Sequence, residues 1–436
     1  MQSKRRLILF VTAFAVVFGF LAIAAPLFAA SKEKVLYSFC TIYACKDGGD
    51  PTADLIFDAA GNLYGTTDSG GASGAGTVFE LSPGADGTWT ETVLYSFCPG
   101  GWPCADGQQP QGGLIFDATG NLYGTTSGGG NFCFGITSCG VVFRLTPGTN
   151  GTWTETVLYS FCSASGCTDG ASPNASLVLD AAGNLYGTTE MGGSYGSGCK
   201  GYGCGTVFEL KPGANGTWTE TVLHSFGNGK DGTYPFAGLI FDAAGNLYST
   251  TVMGGPYGWG TVFELTPNAN GKWSEKVLHA FSYGKGGESP WAGLIFDTYG
   301  NLYGTTEAGG AHNVGTAFEL TPGAGGKWKE KVLHTFNGED RKDGSNPVAG
   351  LIFDTAGNVY GTTTWGGPYG WGTVFELTPN ANGRWTEKVL HFFNGDGRKD
   401  GGNPYAGLIL DAAGNLYGTT TVGGANVNGT VFEITP

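Results

Sequence analysis

The sequence predicts an all-β protein: a seven-bladed β-propeller of four-stranded antiparallel blades, its ring closed by the N-terminal strand, which completes the last blade. Three observations predict it. A hairpin-forming unit recurs seven times, each repeat carries four β-prone runs with no helical pattern, and the two chain ends are complementary parts of one repeat.

The hairpin unit is plainest at Gly238-Leu-Ile-Phe-Asp-Ala-Ala-Gly-Asn-Leu-Tyr-Ser-Thr-Thr251. Leu239 to Phe241 and Leu247 to Thr250 are short β-prone runs. Asp242, Gly245 and Asn246 supply the turn, an Asp that caps its own backbone and residues that tolerate positive φ. Copies of the turn begin at Asp58, Asp117, Asp180, Asp242, Asp297, Asp354 and Asp411, at steps of 59, 63, 62, 55, 57 and 57 residues. A Gly-rich loop then leads to a third run, from Gly76-Thr-Val-Phe-Glu-Leu81 to Gly429-Thr-Val-Phe-Glu-Ile434. A fourth follows each of the first six, as in Trp89 to Phe97, after a turn such as Pro267-Asn-Ala-Asn-Gly-Lys-Trp273. Both faces of such a sheet carry apolar side chains, so the repeats must stack on one another. The last repeat stops after its third strand, and Ser31 to Phe39 aligns with the fourth strand Trp273 to Phe281. The N-terminus is therefore expected to complete the last blade and leave no sheet edge open. An open array would need polar caps instead.

Ahead of the propeller (31–436), residues 1–30 read as a secretory signal. Lys4, Arg5 and Arg6 precede an apolar run from Leu7 to Ala25, and small residues near Ala29 and Ala30 suit cleavage. The length of the run makes a retained membrane anchor the rival reading. Without residues 1–30 the chain keeps 19 Lys plus Arg against 36 Asp plus Glu, a net of about −17, which argues against a nucleic-acid partner. All ten cysteines fall in close pairs: Cys40/Cys45, Cys98/Cys104, Cys133/Cys139, Cys162/Cys167 and Cys199/Cys204. Local disulfides are expected behind a signal peptide, and no His lies near any pair to suggest zinc. The protein is expected to be secreted, periplasmic or at the cell surface, a monomer, and off the membrane once the leader is cut.

In a propeller with strands a to d running outward, the two tight hairpins share one face and the d-to-a and b-to-c loops share the other. The loop face carries the cysteines, the length variation and the aromatic residues, and ligand sites favour variable loops on a rigid scaffold. An Asp-Gly-x-x-Pro signature starts at Asp47, Asp106, Asp169, Asp231, Asp343 and Asp400, with Gly286 in place of Asp in one repeat. Six carboxylates at a channel mouth would attract calcium, whereas the plainer reading is a turn leading into strand a. A Gly-Gly pair in each b-to-c loop reads as structural, since a strand rather than a helix follows. Candidate ligand-binding residues are Trp102, Tyr195, Tyr202, Tyr257, Trp259, Trp291, His312, Trp365, Tyr369 and Trp371, with Phe132 beside them, because flat rings near acids suit sugars or apolar side chains.

No catalytic constellation stands out. His224, His279, His334 and His391 share one repeat position with Tyr37, Tyr95 and Tyr159, which marks a structural slot. The strand-c Glu becomes Arg144 once and reads as a register feature. The repeat Asp-Ala-Ala-Gly-Asn-Leu-Tyr-Gly-Thr-Thr, then Gly-Gly, then Gly-Thr-Val-Phe-Glu-Leu-Thr-Pro resembles the GloVer tandem repeat of Gloeobacter and Verrucomicrobia proteins, over nearly all of residues 35–436. The resemblance implies an exported bacterial protein, often with a C-terminal surface anchor that this chain, ending at Pro436, does not display. It carries over no catalytic residues. The expected function is binding of a carbohydrate or an extracellular protein through the loop face, without catalysis. A polysaccharide lyase or hydrolase with a channel-mouth site, and a structural envelope module, are the alternatives.

Overall fold

The computed structural model describes residues 31–131, 139–195, 199, 201–284, 286–338, 343–395 and 400–436. The leader, Phe132 and Cys133 lie outside the described residues. Residues Ser31–Pro436 form one unit of seven four-stranded antiparallel sheets. Blade 1 runs from strand a, Ile56–Phe57, through b, Leu63–Thr67, and c, Thr77–Pro83, to d, Trp89–Ser96. Blades 2 to 6 repeat this plan with strands a beginning at Ile115, Val178, Ile240, Ile295 and Ile352. In blade 7, Ile409–Leu410, Leu416–Thr420 and Thr430–Thr435 are completed by Lys32–Ser38, which pairs from Lys32↔Thr435 to Ser38↔Thr430. The ring is closed as the complementary ends require.

The hydrophobic cores lie between blades. Tyr64, Val78 and Phe97 of blade 1 pack on Leu114, Leu122 and Phe143 of blade 2, and the last such core joins Phe393 of blade 6 to Phe432 of blade 7. At each junction a Phe just past strand d meets a strand-c Phe of the next blade edge-on. Phe97–Phe143 at 5.1 Å and Phe39–Phe79 at 5.1 Å are two of the seven. Nearer the axis, a strand-b Thr donates to a carbonyl of the next blade, as Thr125 Oγ1 does to Ala175 at 3.0 Å and Thr419 to Ala53 at 3.4 Å. Each blade therefore exposes two apolar faces that only its neighbours cover.

The tight turns form as their chemistry dictates. Asp242 Oδ1 accepts from the N–H groups of Ala244 and Asn246 at 2.9 Å each, while Oδ2 accepts from Asn246 Nδ2 at 2.7 Å and Tyr248 O–H at 3.1 Å. Partial burial opposes ionisation there, but these bonds prevail and hold the carboxyl below its ordinary range. On the opposite face each d-to-a loop bridges the b-to-c loop of its own blade, for example Thr233↔Met253 and Gly401↔Gly423. The Gly-Gly pairs serve this contact. Gly70 has φ +78, and a Cβ on it would sit 2.6 Å from the Cys45 carbonyl and from Gly48 Cα.

Four cysteine pairs form the expected local disulfides: Cys40–Cys45, Cys98–Cys104, Cys162–Cys167 and Cys199–Cys204. Three of them staple d-to-a loops. Among the described residues no helix is long and apolar enough to cross a membrane.

Candidate functional site

Two sets of acids lie on the loop face, and only one borders the axis. The Asp-Gly-x-x-Pro carboxylates sit at the outer end of the d-to-a loop, beside strand d. Asp47 accepts from Tyr37 O–H at 2.8 Å, Thr41 N–H at 2.7 Å and Ile42 N–H at 3.2 Å. Asp231 and Asp343 accept the corresponding contacts from His224 at 2.9 Å and His334 at 3.0 Å. These acids are turn-formers tied to a Tyr/His slot, and they do not gather at the channel mouth. Where Gly286 replaces the Asp, His279 faces Glu330 of the next blade at 3.8 Å instead, and burial pushes its imidazole down to about 4.

The axis is lined by the segment that follows each of these prolines. Its residues alternate in direction, as extended chain must. Ala53 and Leu55 are buried toward the blade, while Thr52 and Asp54 border the lumen. One residue per blade therefore rings the mouth: Thr52, Gln111, Asn174, Phe236, Trp291, Val348 and Tyr405. The ring is lopsided. Thr52, Gln111 and Asn174 of blades 1 to 3 form a polar arc, and Phe236, Trp291, Val348 and Tyr405 of blades 4 to 7 form an apolar, largely aromatic arc.

The residue after strand b holds several of these side chains in place. Trp291 Nε1 donates to Glu307 at 2.6 Å, Asn174 Nδ2 to Glu190 at 3.0 Å and Gln111 Nε2 to Asp68 at 2.9 Å. Phe236 meets Trp291 edge-on at 4.7 Å. Burial pushes the carboxyls of Asp68 and Glu190 up, and their amide partners act against it. A cavity of about 330 Å³ lies over the mouth, with Trp291, Trp365 and Tyr405 among its walls. Phe236 and Trp291 also wall a second cavity of about 420 Å³, lined further by Tyr202, Tyr234 and Met253. Phe236 and Trp291 stand between the two cavities, the second of which extends over blades 3 to 5. Buried Thr52 Oγ1 has no hydrogen-bond partner among the described residues.

The chain matches the family model described as the Gloeobacter/Verrucomicrobia repeat over residues 26–201, 199–340 and 324–436. It belongs to this repeat family. No curated protein matches it. Among solved structures it is similar to a putative oxidoreductase (glucose dehydrogenase) from Thermus thermophilus, at 14% identity and a TM-score of 0.41, over 89% of this chain and 98% of that one.

Within the Gloeobacter/Verrucomicrobia repeat, the ten aromatic and His candidates separate by position. Trp291 and Trp365 wall the mouth cavity and Tyr202 the adjoining one. Trp102, 74% exposed, lines a separate hollow at blades 1 and 2. Tyr195, Tyr257, Tyr369 and His312 are exposed and line none of these hollows. Trp259 meets Tyr283 at a tilt with ring centroids 5.9 Å apart, and Trp371 packs against the core between blades 6 and 7. The near-duplicate loops bearing Trp259 and Trp371 therefore do not form one site. Phe236, Tyr405, Gln111 and Asn174 also ring the mouth and are not among the residues that the sequence singles out.

Proposed function

We propose that this is an exported binding protein whose ligand is a carbohydrate, held at the channel mouth and along the adjoining hollow. The lopsided ring carries the reading. One arc offers Phe236, Trp291 and Tyr405 to the apolar face of a sugar, and the other offers the amide groups of Gln111 and Asn174 to its hydroxyls. The Trp291–Glu307 bond fixes the ring that does the stacking. The four disulfides and the basic, apolar leader agree with export to an oxidising compartment. The lack, among the described residues, of a nucleophile, base and orienting partner in mutual contact at the mouth favours binding over catalysis. Glycan titration of wild type against Trp291→Ala tests the site. Binding that Trp291→Ala weakens about tenfold or more, roughly 1.4 kcal/mol, supports it, and equal affinity removes the mouth from consideration.

A further inference from the structure

A hollow of about 120 Å³ on the axis is walled by the mouth ring and by the residues beneath it. Two residues beyond each mouth residue, about 7 Å deeper by strand rise, stand Asp54, Gly113, Ser176, Gly238, Gly293, Gly350 and Gly407. Asp54 is the single charged residue of this level. Its Oδ1 accepts from Gly407 N–H at 2.6 Å, the N–H of the blade on the other side of the ring closure.

The glycines of blades 5 and 6 are demanded neither by the backbone nor by packing. Gly293 and Gly350 do not have left-handed φ. A Cβ on Gly350 would meet nothing within 4 Å, and one on Gly293 only the Gly238 carbonyl at 3.7 Å. They leave the lumen around Asp54 open. Among the described residues no Lys, Arg or His lines the channel, the mouth cavity or its neighbour, where the charged residues are Asp54, Glu190 and Glu307. Asp54 is exposed to the lumen yet ringed by protein, and that enclosure pushes its carboxyl above the ordinary range, against the Gly407 bond. A carboxylate that faces the lumen, with no cation beside it among the described residues, attracts a ligand cation.

We propose that the axial site selects a ligand bearing a protonated primary amine, which Asp54 receives in the channel beneath the mouth ring. The inference rests on the carbohydrate reading, within which it specifies an amino sugar with a free amine. The sugar ring sits at the mouth against Trp291 with its amine-bearing edge turned down the axis, so that the ring-borne ammonium faces Asp54. The same acids repel uronates and phosphosugars.

Calorimetric titration at pH 6.5 with a tetramer of glucosamine and its N-acetylated counterpart tests this. The free-amine tetramer is expected to bind about tenfold tighter or better. Asp54→Asn, which keeps an oxygen for Gly407 N–H, is expected to abolish that preference and leave N-acetyl affinity unchanged, and Gly350→Val to do the same by filling the lumen. Equal affinity of the wild type for both tetramers overturns the ammonium inference and leaves the carbohydrate reading standing. Pentylammonium, which carries no sugar, separates the remaining cases. A rise in Tm that Asp54→Asn loses, without tetramer binding, upholds the ammonium site and removes the carbohydrate reading. No response to any of the three probes overturns both.

Discussion

Phe281 illustrates what single residues do in this molecule. It lies just past strand d of blade 4, is 1% exposed and meets Phe318 of blade 5 edge-on at 5.3 Å. Its stability contribution is thus to the joint between repeats. Phe281→Ala is expected to cost about 3–5 kcal/mol in urea unfolding, and a loss under about 1 kcal/mol would contradict that placement. The sequence disclosed this Phe, because it recurs at one position of every repeat. It did not disclose the mouth residues so readily. Whether Phe236 or Tyr405 faces a lumen depends on ring closure, which no local pattern encodes. A signal was nevertheless present. Thr52, Gln111, Asn174, Phe236, Trp291, Val348 and Tyr405 are the variable letter after a recurring Pro and before a small residue. Trp371 misled in the opposite way, since a Trp in a variable loop also fills space against a core.

At the scale of elements, the strands and turns were legible because local chemistry decides them: Asp turns, Asn-Gly turns and alternating apolar runs. Strand a is the exception, with only two residues in ladder register, because its preceding segment bonds across to the strand-b Thr of a neighbouring blade. The strand Lys32–Ser38 covers the open edge of Thr430–Thr435. Deleting residues 31–39 is expected to expose that edge and yield oligomers in size-exclusion chromatography; a stable monomer would show that closure is dispensable. The Cys162–Cys167 staple closes a loop of sequence separation 5, so replacing both cysteines by Ser is expected to cost about 2 kcal/mol on the chain-entropy estimate and to leave the fold intact. Complete unfolding of that variant would show that the loops are held by their disulfides alone.

Across the whole molecule, seven strand-d glutamates recur at the blade junctions: Glu33, Glu91, Glu155, Glu220, Glu275, Glu330 and Glu387. Each has a buried Oε1 with no hydrogen-bond partner among the described residues. Burial foremost raises them, to about 8 for Glu91 and Glu220 and about 7 for the other five. Neighbouring carboxylates add to it: Asp47 on Glu91, Asp106 on Glu155, Asp169 on Glu220, Asp231 on Glu275, Asp343 on Glu387 and Asp400 on Glu33. His224, His334 and His391 pull three of them back. Because the folded chain holds these protons more tightly than the unfolded one, the stability they contribute is full below about pH 4.5 and is lost as pH rises toward 8. His279, lowered to about 4, opposes this below pH 6.5, one group against seven. The Tm is therefore expected to be higher at pH 5 than at pH 8, with Glu91→Gln reducing the slope, and a flat or rising Tm would refute the junction account. The central claim is that seven repeated blades surround one unrepeated, sugar-sized site. A glycan array probed with wild type and Trp291→Ala, with calcium and with chelator, tests it most directly. The account predicts selective binding that Trp291→Ala loses and chelator leaves alone; a blank array, or a signal the substitution does not change, would contradict it.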